Sequence, residues 1–236
     1  MVVKKNLSNA LYILCLILML GIIIIDIFPA VIMPTTTRIL CSAVAFILVF
    51  AATIIKISYL ENAEEKIKAV KFSLCILFIF YSANLLMLLF VDMTYGRTAR
   101  HIFNSDVSYK TYFKANTNFI PFKGIVEQYE RIKFYYTNYG ILNLRYAFVN
   151  IAGNLAAFAP MGFFIPALFK RINNLKKFAL LIIFTVIFVE LMQFITKTGV
   201  CDVDDVILNS LGTIIVYIFI QTKFAKNILH KLHINV

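Results

Sequence analysis

The chain alternates long apolar runs with short charged connections, and six of the runs approach the length of a membrane crossing. An α-helix rises about 1.5 Å per residue, so about 20 mostly apolar residues are needed to span a hydrocarbon core of about 30 Å. Runs of this kind extend approximately from Ala10 to Ile32, Ile39 to Leu60, Val70 to Val91, Ala147 to Phe169, Phe178 to Ile195, and Val206 to Gln221. The first follows Lys4 and Lys5, as the core of a signal peptide would. Its apolar stretch exceeds an ordinary h-region, however, and no small-residue cleavage site follows, so it reads as a retained helix. The pattern predicts an all-α fold: a polytopic membrane helical bundle of about six transmembrane helices.

The connection between the third and fourth runs, 92–146, has a different character. Tyr95, Tyr109, Tyr112, Tyr129, Tyr135, Tyr136, Tyr139 and Tyr146 make it too aromatic for a disordered linker. Ile125, Tyr129, Ile132 and Tyr136 recur at helical spacing, with Glu127, Glu130, Arg131 and Lys133 between them. This predicts an amphipathic helix on the outer side. Two placements fit it equally: flat on the outer bilayer surface, or packed against its own bundle.

Composition supports the membrane assignment. Of 236 residues, 61% are hydrophobic and 15% charged, against about 45–50% and about 25% in soluble domains. Mean hydropathy is +0.84. The chain has no Trp, which leaves Tyr to form an interfacial aromatic belt. A net charge of +11 raises the question of nucleic acid. The basic residues form no single patch, so no nucleic-acid partner is expected.

Those basic residues instead set an orientation. Lys4, Lys5, Lys56, Lys66, Lys68, Lys71, Lys170, Arg171, Lys176, Lys177, Lys223, Lys226 and Lys231 all fall on one side of the predicted spans. Only Arg38 and Lys197 occupy the two short loops opposite. The positive-inside bias then places both termini in the cytoplasm of a multi-pass cell-membrane protein. Cys15, Cys41 and Cys75 lie in apolar runs and Cys201 near an outer loop, so all four read as small core residues rather than a disulfide framework.

Orientation brings separated polar residues to one depth. Asn150 and Asn154 fall in the outer half of the fourth span, Glu190 and Gln193 near the outer end of the fifth. Asp202, Asp204 and Asp205 precede Asn209 at the outer start of the sixth. Asn150 and Asn154 are spaced i, i+4, Glu190 and Gln193 i, i+3. Asp205, Asn209 and Gly212 can form another stripe, and Gly153 and Gly212 are candidates for close helix approach. Pro160 can kink the fourth span. Arg145, Arg97 and Arg100 are candidate positive partners. Placing one Asp at a helix centre costs about 2.5–3.5 kcal/mol on insertion scales, so such groups face an interior or a cavity. Three readings of the cluster stand: a hydrogen-bonded network holding the helices together, a pocket open to the outer leaflet, or a divalent-metal site on Asp202, Asp204 and Asp205. The third lacks a full ligand set, and acidic residues also cap helices.

At these residues the chain resembles the VanZ-like family. The resemblance rests on NFIPF from Asn118 to Phe122 and NIAGNLAAFAPMGFFIP from Asn150 to Pro166. VELMQF from Val189 to Phe194 and CDVDDVILNSLG from Cys201 to Gly212 complete it. Their order and spacing agree from about Val70 onward. This divides the chain into a two-helix membrane extension at 1–69, a VanZ-like core at 70–222 and a short basic cytoplasmic tail at 223–236. The resemblance implies binding positions at Arg145, Asn150, Asn154, Glu190, Gln193, Asp202, Asp205 and Asn209. It also implies tolerance to teicoplanin-like glycopeptides or lipoglycopeptides, with no established reaction. Many members carry an Arg before the acidic segment, where this chain has Gly199, Val200 and Cys201; Lys197 or Arg145 would have to replace it.

Familiar hydrolytic and energy-coupling motifs are missing. There is no G-x-S-x-G elbow, H-E-x-x-H helix or Walker A loop, and His101, His230 and His233 form no metal pair with the acidic motifs. No cofactor is expected. Three function classes remain. The first is an outer-leaflet factor binding membrane lipid, a lipid-linked wall precursor or a lipoglycopeptide. The second is a membrane enzyme on a lipid-linked substrate, with Glu190 and Asp205 as acid/base candidates. The third is a transporter using Glu190, less favoured because no internal repeat is visible.

Overall fold

The computed structural model describes residues 1–27, 33, 35–91, 108–139, 145–172 and 174–234. It is overwhelmingly helical. Among the described residues, six segments are long and apolar enough to cross a membrane: Val2–Ile25, Thr37–Tyr59, Ala63–Phe90, Asn150–Leu168, Leu175–Ile195 and Val203–Ile220. The chain divides into two compact units, 1–96 with 223–236, and 97–222.

The first unit contains α1 (Val2–Ile27), α2 (Thr35–Tyr59) and α3 (Ala63–Phe90). Only Leu60–Asn62 separate α2 from α3, and Asn62 starts α3 by accepting a hydrogen bond from the Glu64 amide at 2.8 Å. Glu64 and Glu65 in that first turn complement the helix dipole. Helices in lipid gain little from apolar burial against one another, so close packing and polar contacts must hold them. Here Cys15, Ala45 and Ala52 are fully buried, and Ser8 Oγ donates to the Ala52 carbonyl at 2.8 Å.

A polar knot joins all three helices. The Tyr12 hydroxyl shares a 2.7 Å hydrogen bond with Ser73 Oγ, and Thr53 Oγ1 lies 3.2 Å and 2.7 Å from those two oxygens. Interhelical bonds of this kind average about 0.6 kcal/mol in membranes. Tyr12→Phe is therefore expected to destabilise by no more than about 1 kcal/mol, since Ser73 keeps the Thr53 hydroxyl and the Ala69 carbonyl as partners. An unchanged unfolding midpoint in detergent would show that the knot is not a stabilising contact.

The second unit contains α4 (Tyr109–Ala115), β1 (Thr117–Asn118), α5 (Lys123–Tyr139) and α6 (Arg145–Ala157). They are followed by α7 (Met161–Leu168), α8 (Leu175–Ile195), β2 (Cys201–Asp202) and α9 (Val203–Ile220). The fourth apolar run is not one helix. It stops at Ala157 and restarts at Met161, with Pro160 in the N-cap position of α7. A proline lacks the N–H and its ring obstructs the preceding turn. The consequence is a break, stronger than the expected kink.

Helix α9 is the axis of this unit and packs against α6, α7 and α8. Two glycines allow that approach. A Cβ at Gly162 would lie 2.5 Å from the Thr213 carbonyl oxygen and 2.9 Å from the Tyr217 amide nitrogen. A Cβ at Gly212 would lie 2.8 Å from the Leu155 carbonyl carbon and closer still to its oxygen. Gly153 differs from expectation, because a Cβ there would meet nothing within 4 Å. At the far end, Phe178 stacks on Tyr217 with ring centroids 4.2 Å apart.

Helix α5 docks on α6 and α9. Its expected stripe is split: Ile125 and Ile132 are half-buried, whereas Tyr129 and Tyr136 are exposed. The basic stretch after α9, which belongs to the first unit, contains α10 (Lys223–Lys231).

Candidate functional site

The acidic stretch Asp202–Asp205 lies where β2 runs into α9, and each of its three carboxylates has its own partners. Asp202 is the N-cap: its Oδ1 accepts from the Asp204 amide at 2.9 Å, satisfying one of the orphan donors of the first turn. The same oxygen accepts from Asn118 Nδ2 at 2.9 Å. Asn118 is brought there by parallel pairing of β1 with β2, in which Thr117 faces Cys201 and Asn118 faces Asp202. Burial is the main cause raising the Asp202 pKa above the usual aspartate value, against the lowering effect of these two hydrogen bonds. Burial likewise pushes the Cys201 thiol up, assisted by the charges of Glu190 and Asp202.

Asp204 serves a different helix. It is 2% exposed, and its two oxygens accept from the Phe122 amide at 2.5 Å and the Ile125 amide at 3.1 Å. These donors belong to the start of α5, where amides have no partner within the helix and the dipole favours a negative charge. Phe122 has φ 65°, a left-handed conformation that costs an L-residue roughly 1–2 kcal/mol. Gly124 leaves room for the carboxylates: a Cβ there would sit 3.1 Å from both Asp202 Oδ2 and Asp204 Oδ2.

Asp205 points to the neighbouring span, where its Oδ1 accepts from Asn154 Nδ2. One turn on, Asn209 donates through Nδ2 to the Asp205 carbonyl at 2.8 Å. Asn209 is only 4% exposed, yet its Oδ1 has no hydrogen-bond partner among the described residues, and neither does the buried Ser210 Oγ. Glu190 and Gln193 are both buried on α8. Gln193 lies against Gly199, whose Cβ would meet its side chain at 3.2 Å, and the Gln193 carbonyl accepts from the Thr198 amide at 2.9 Å.

The extramembrane segment is tied down over the same end of the unit. Tyr112 donates its hydroxyl to the Gly199 carbonyl at 2.5 Å, and Tyr109 to the Ile195 carbonyl at 2.8 Å. Their rings, with Phe113, surround Phe194 at centroid distances of 5.6–6.4 Å. Lys197, one of the two candidates to replace an arginine in this loop, holds its ammonium over the Tyr109 ring at 4.4 Å. The side chain of Arg145 lies outside the described residues, as do Arg97 and Arg100.

The structure thus joins Asn154, Asp205 and Asn209 and buries Glu190 and Gln193, but Asn150 is exposed. Asp202 and Asp204 each bring one oxygen close to Gly124 while bonding to different donors, and Asp205 turns instead to Asn154. Among the described residues no group of three or more His, Cys, Asp and Glu side chains has a metal-holding arrangement. Spacing alone missed Asn118 and Tyr112 as positioning groups, and Asp204 as the cap of α5. The usable signal was NFIPF followed by Lys123 and Gly124, a turn opening a helix whose first amides need an acceptor.

Protein VanZ of Enterococcus faecium is 37% identical over 65 residues, which span 28% of this chain and 40% of that protein. The chain therefore aligns with less than half the length of that relative. No solved structure matches. The family described as VanZ/LLP1 matches residues 78–225, a stretch that takes in β1, the interrupted fourth span, Glu190 and the whole acidic start of α9. That match covers well over half of the chain, which belongs to the VanZ/LLP1 family.

Proposed function

We propose that this protein reduces the susceptibility of the cell envelope to lipid-bearing glycopeptides. It acts at the outer leaflet, where the polar end of 97–222 binds either the lipid-linked wall precursor or the lipid-bearing drug. Family membership supports the link to the cell envelope. The observation that carries the binding role is the buried, unsatisfied Asn209 Oδ1, one turn from Asp205 and its bond to Asn154; the Oγ of Ser210, next in the chain, is likewise buried and unsatisfied. Each such atom costs about 1–3 kcal/mol when left without a partner. A ligand offering hydroxyl or amide donors recovers that cost on binding. Both termini are cytoplasmic in this reading, which turns the acidic start of α9 outward.

The test is expression in a susceptible bacterial host, with teicoplanin sensitivity measured at matched membrane levels. Wild type is expected to raise the inhibitory concentration several-fold. Glu190→Gln, Asp205→Asn and Asn209→Leu are expected to bring it back towards the empty host. Identical sensitivity in all strains would overturn the proposal.

Burial of Glu190 at 5% exposure favours one second reading, a membrane enzyme acting on a lipid-linked substrate with Glu190 and Asp205 as acid and base. Turnover of a lipid-linked wall precursor by the purified protein, lost in Glu190→Gln, would favour it over binding alone.

A further inference from the structure

Helix α10 (Lys223–Lys231) has a two-sided surface that neither the family assignment nor the polar cluster uses. Phe224, Ile228 and Leu232 recur at i, i+4 and i+8 and are 68%, 44% and 42% exposed. Ala225 and Leu229, next to them around the helix, are buried and half-buried. The remaining arc carries Lys223, Lys226 and His230 with Asn227, Lys231 borders the stripe beside Phe224, and the helix has no acidic residue. The apolar arc is thus only half used by the protein.

Chain continuity fixes where this helix starts. The sixth span ends at Ile220, and only Gln221 and Thr222 precede Lys223. Two residues reach about 7 Å at most, so Phe224 lies at or just beyond the hydrocarbon edge. A helix with lysines on one arc and Phe, Ile and Leu on the other is suited to lie in the interfacial plane. Each Lys near an anionic surface is worth about 1 kcal/mol, roughly a five-fold gain in affinity.

We propose that α10 is an interfacial anchor that gathers anionic phospholipids. Phe224, Ile228 and Leu232 sit among the upper acyl chains, and Lys223, Lys226 and Lys231 hold the phosphate head groups. The occupant is the lipid surface itself, because the exposed apolar stripe and the basic arc occupy one helix at the end of a span.

The absence of Trp from the chain provides a clean probe. Phe224→Trp in the full-length protein, reconstituted in nanodiscs, reports one site. Quenching is compared for dibrominated phosphatidylglycerol and dibrominated phosphatidylcholine at equal mole fraction, alongside aqueous acrylamide. The expected result is a blue-shifted emission, little acrylamide quenching, and at least two-fold stronger quenching by the anionic lipid. That preference is expected to vanish when Lys223→Gln, Lys226→Gln and Lys231→Gln are added, while bromolipid quenching itself remains. Strong acrylamide quenching without bromolipid quenching would overturn the proposal by placing the stripe in water. Quenching by neither agent would overturn it in favour of a protein partner, and equal quenching by both lipids would overturn the recruitment of anionic head groups.

Discussion

Replacing Asp204 by Ala is expected to release the start of α5 (Lys123–Tyr139) from the bundle and to cost about 2–4 kcal/mol, the range for losing two hydrogen bonds to a buried carboxylate. Both carboxylate oxygens are committed, one to the Phe122 amide and one to the Ile125 amide. Asp204→Asn is expected to lose at least half as much, because its NH2 group would face an amide N–H. Asp202→Asn is the contrast. Its two bonds converge on Oδ1, which an asparagine retains, and asparagine caps helices as well as aspartate. Hydrogen exchange is the direct readout. Amides 122 and 125 should lose protection in both Asp204 variants and keep it in Asp202→Asn. Wild-type protection in Asp204→Ala would show that α5 is held by other contacts.

Gly212→Ala is expected to be the most disruptive single-methyl addition in the 97–222 unit. The new Cβ would fall 2.8 Å from the Leu155 carbonyl carbon and 3.1 Å from its Cα, which are backbone atoms of α6 (Arg145–Ala157) that cannot rotate away. Overpacking of this kind costs about 1–3 kcal/mol or more, and the upper end applies when one helix must move bodily from another. Movement of α9 (Val203–Ile220) away from α6 would also separate Asp205 from Asn154, so drug tolerance should fall with stability. Gly153→Ala on α6 provides the control. Its surroundings are open, and alanine is a better helix former by about 0.8–1.0 kcal/mol. Unfolding midpoints in detergent should therefore move in opposite directions for the two variants. A neutral Gly212→Ala would refute the close contact between α6 and α9.

These two predictions separate what was legible in the sequence from what was not. The spans could be read from apolar length because a helix in hydrocarbon satisfies its own backbone hydrogen bonds, so spanning is a local property. The polar residues of the second unit could be singled out for a similar reason: a carboxylate or amide in an apolar run is costly wherever it lies. Pro160 announced an interruption through its own missing N–H, although the sequence suggested only a kink.

The partners of those polar residues were not local. Asp202, Asp204 and Asp205 look interchangeable in the chain, yet one caps its own helix, one caps α5, and one accepts from Asn154. The bonds that distinguish them join residues 51 to 84 positions apart. Those from Asn118, Phe122 and Ile125 accompany the return of the segment after Ser108, which pairs β1 (Thr117–Asn118) with β2 (Cys201–Asp202); the bond from Asn154 accompanies the packing of α6 on α9. Gly153 and Gly212 are likewise the same residue type in helices, and only the neighbouring backbone makes one indispensable and the other replaceable. The sequence by itself determined the solvent, the helices and the list of costly side chains, because each follows from short-range length and composition. Tertiary structure alone decided which carboxylate meets which donor, since that depends on where distant backbone comes to rest.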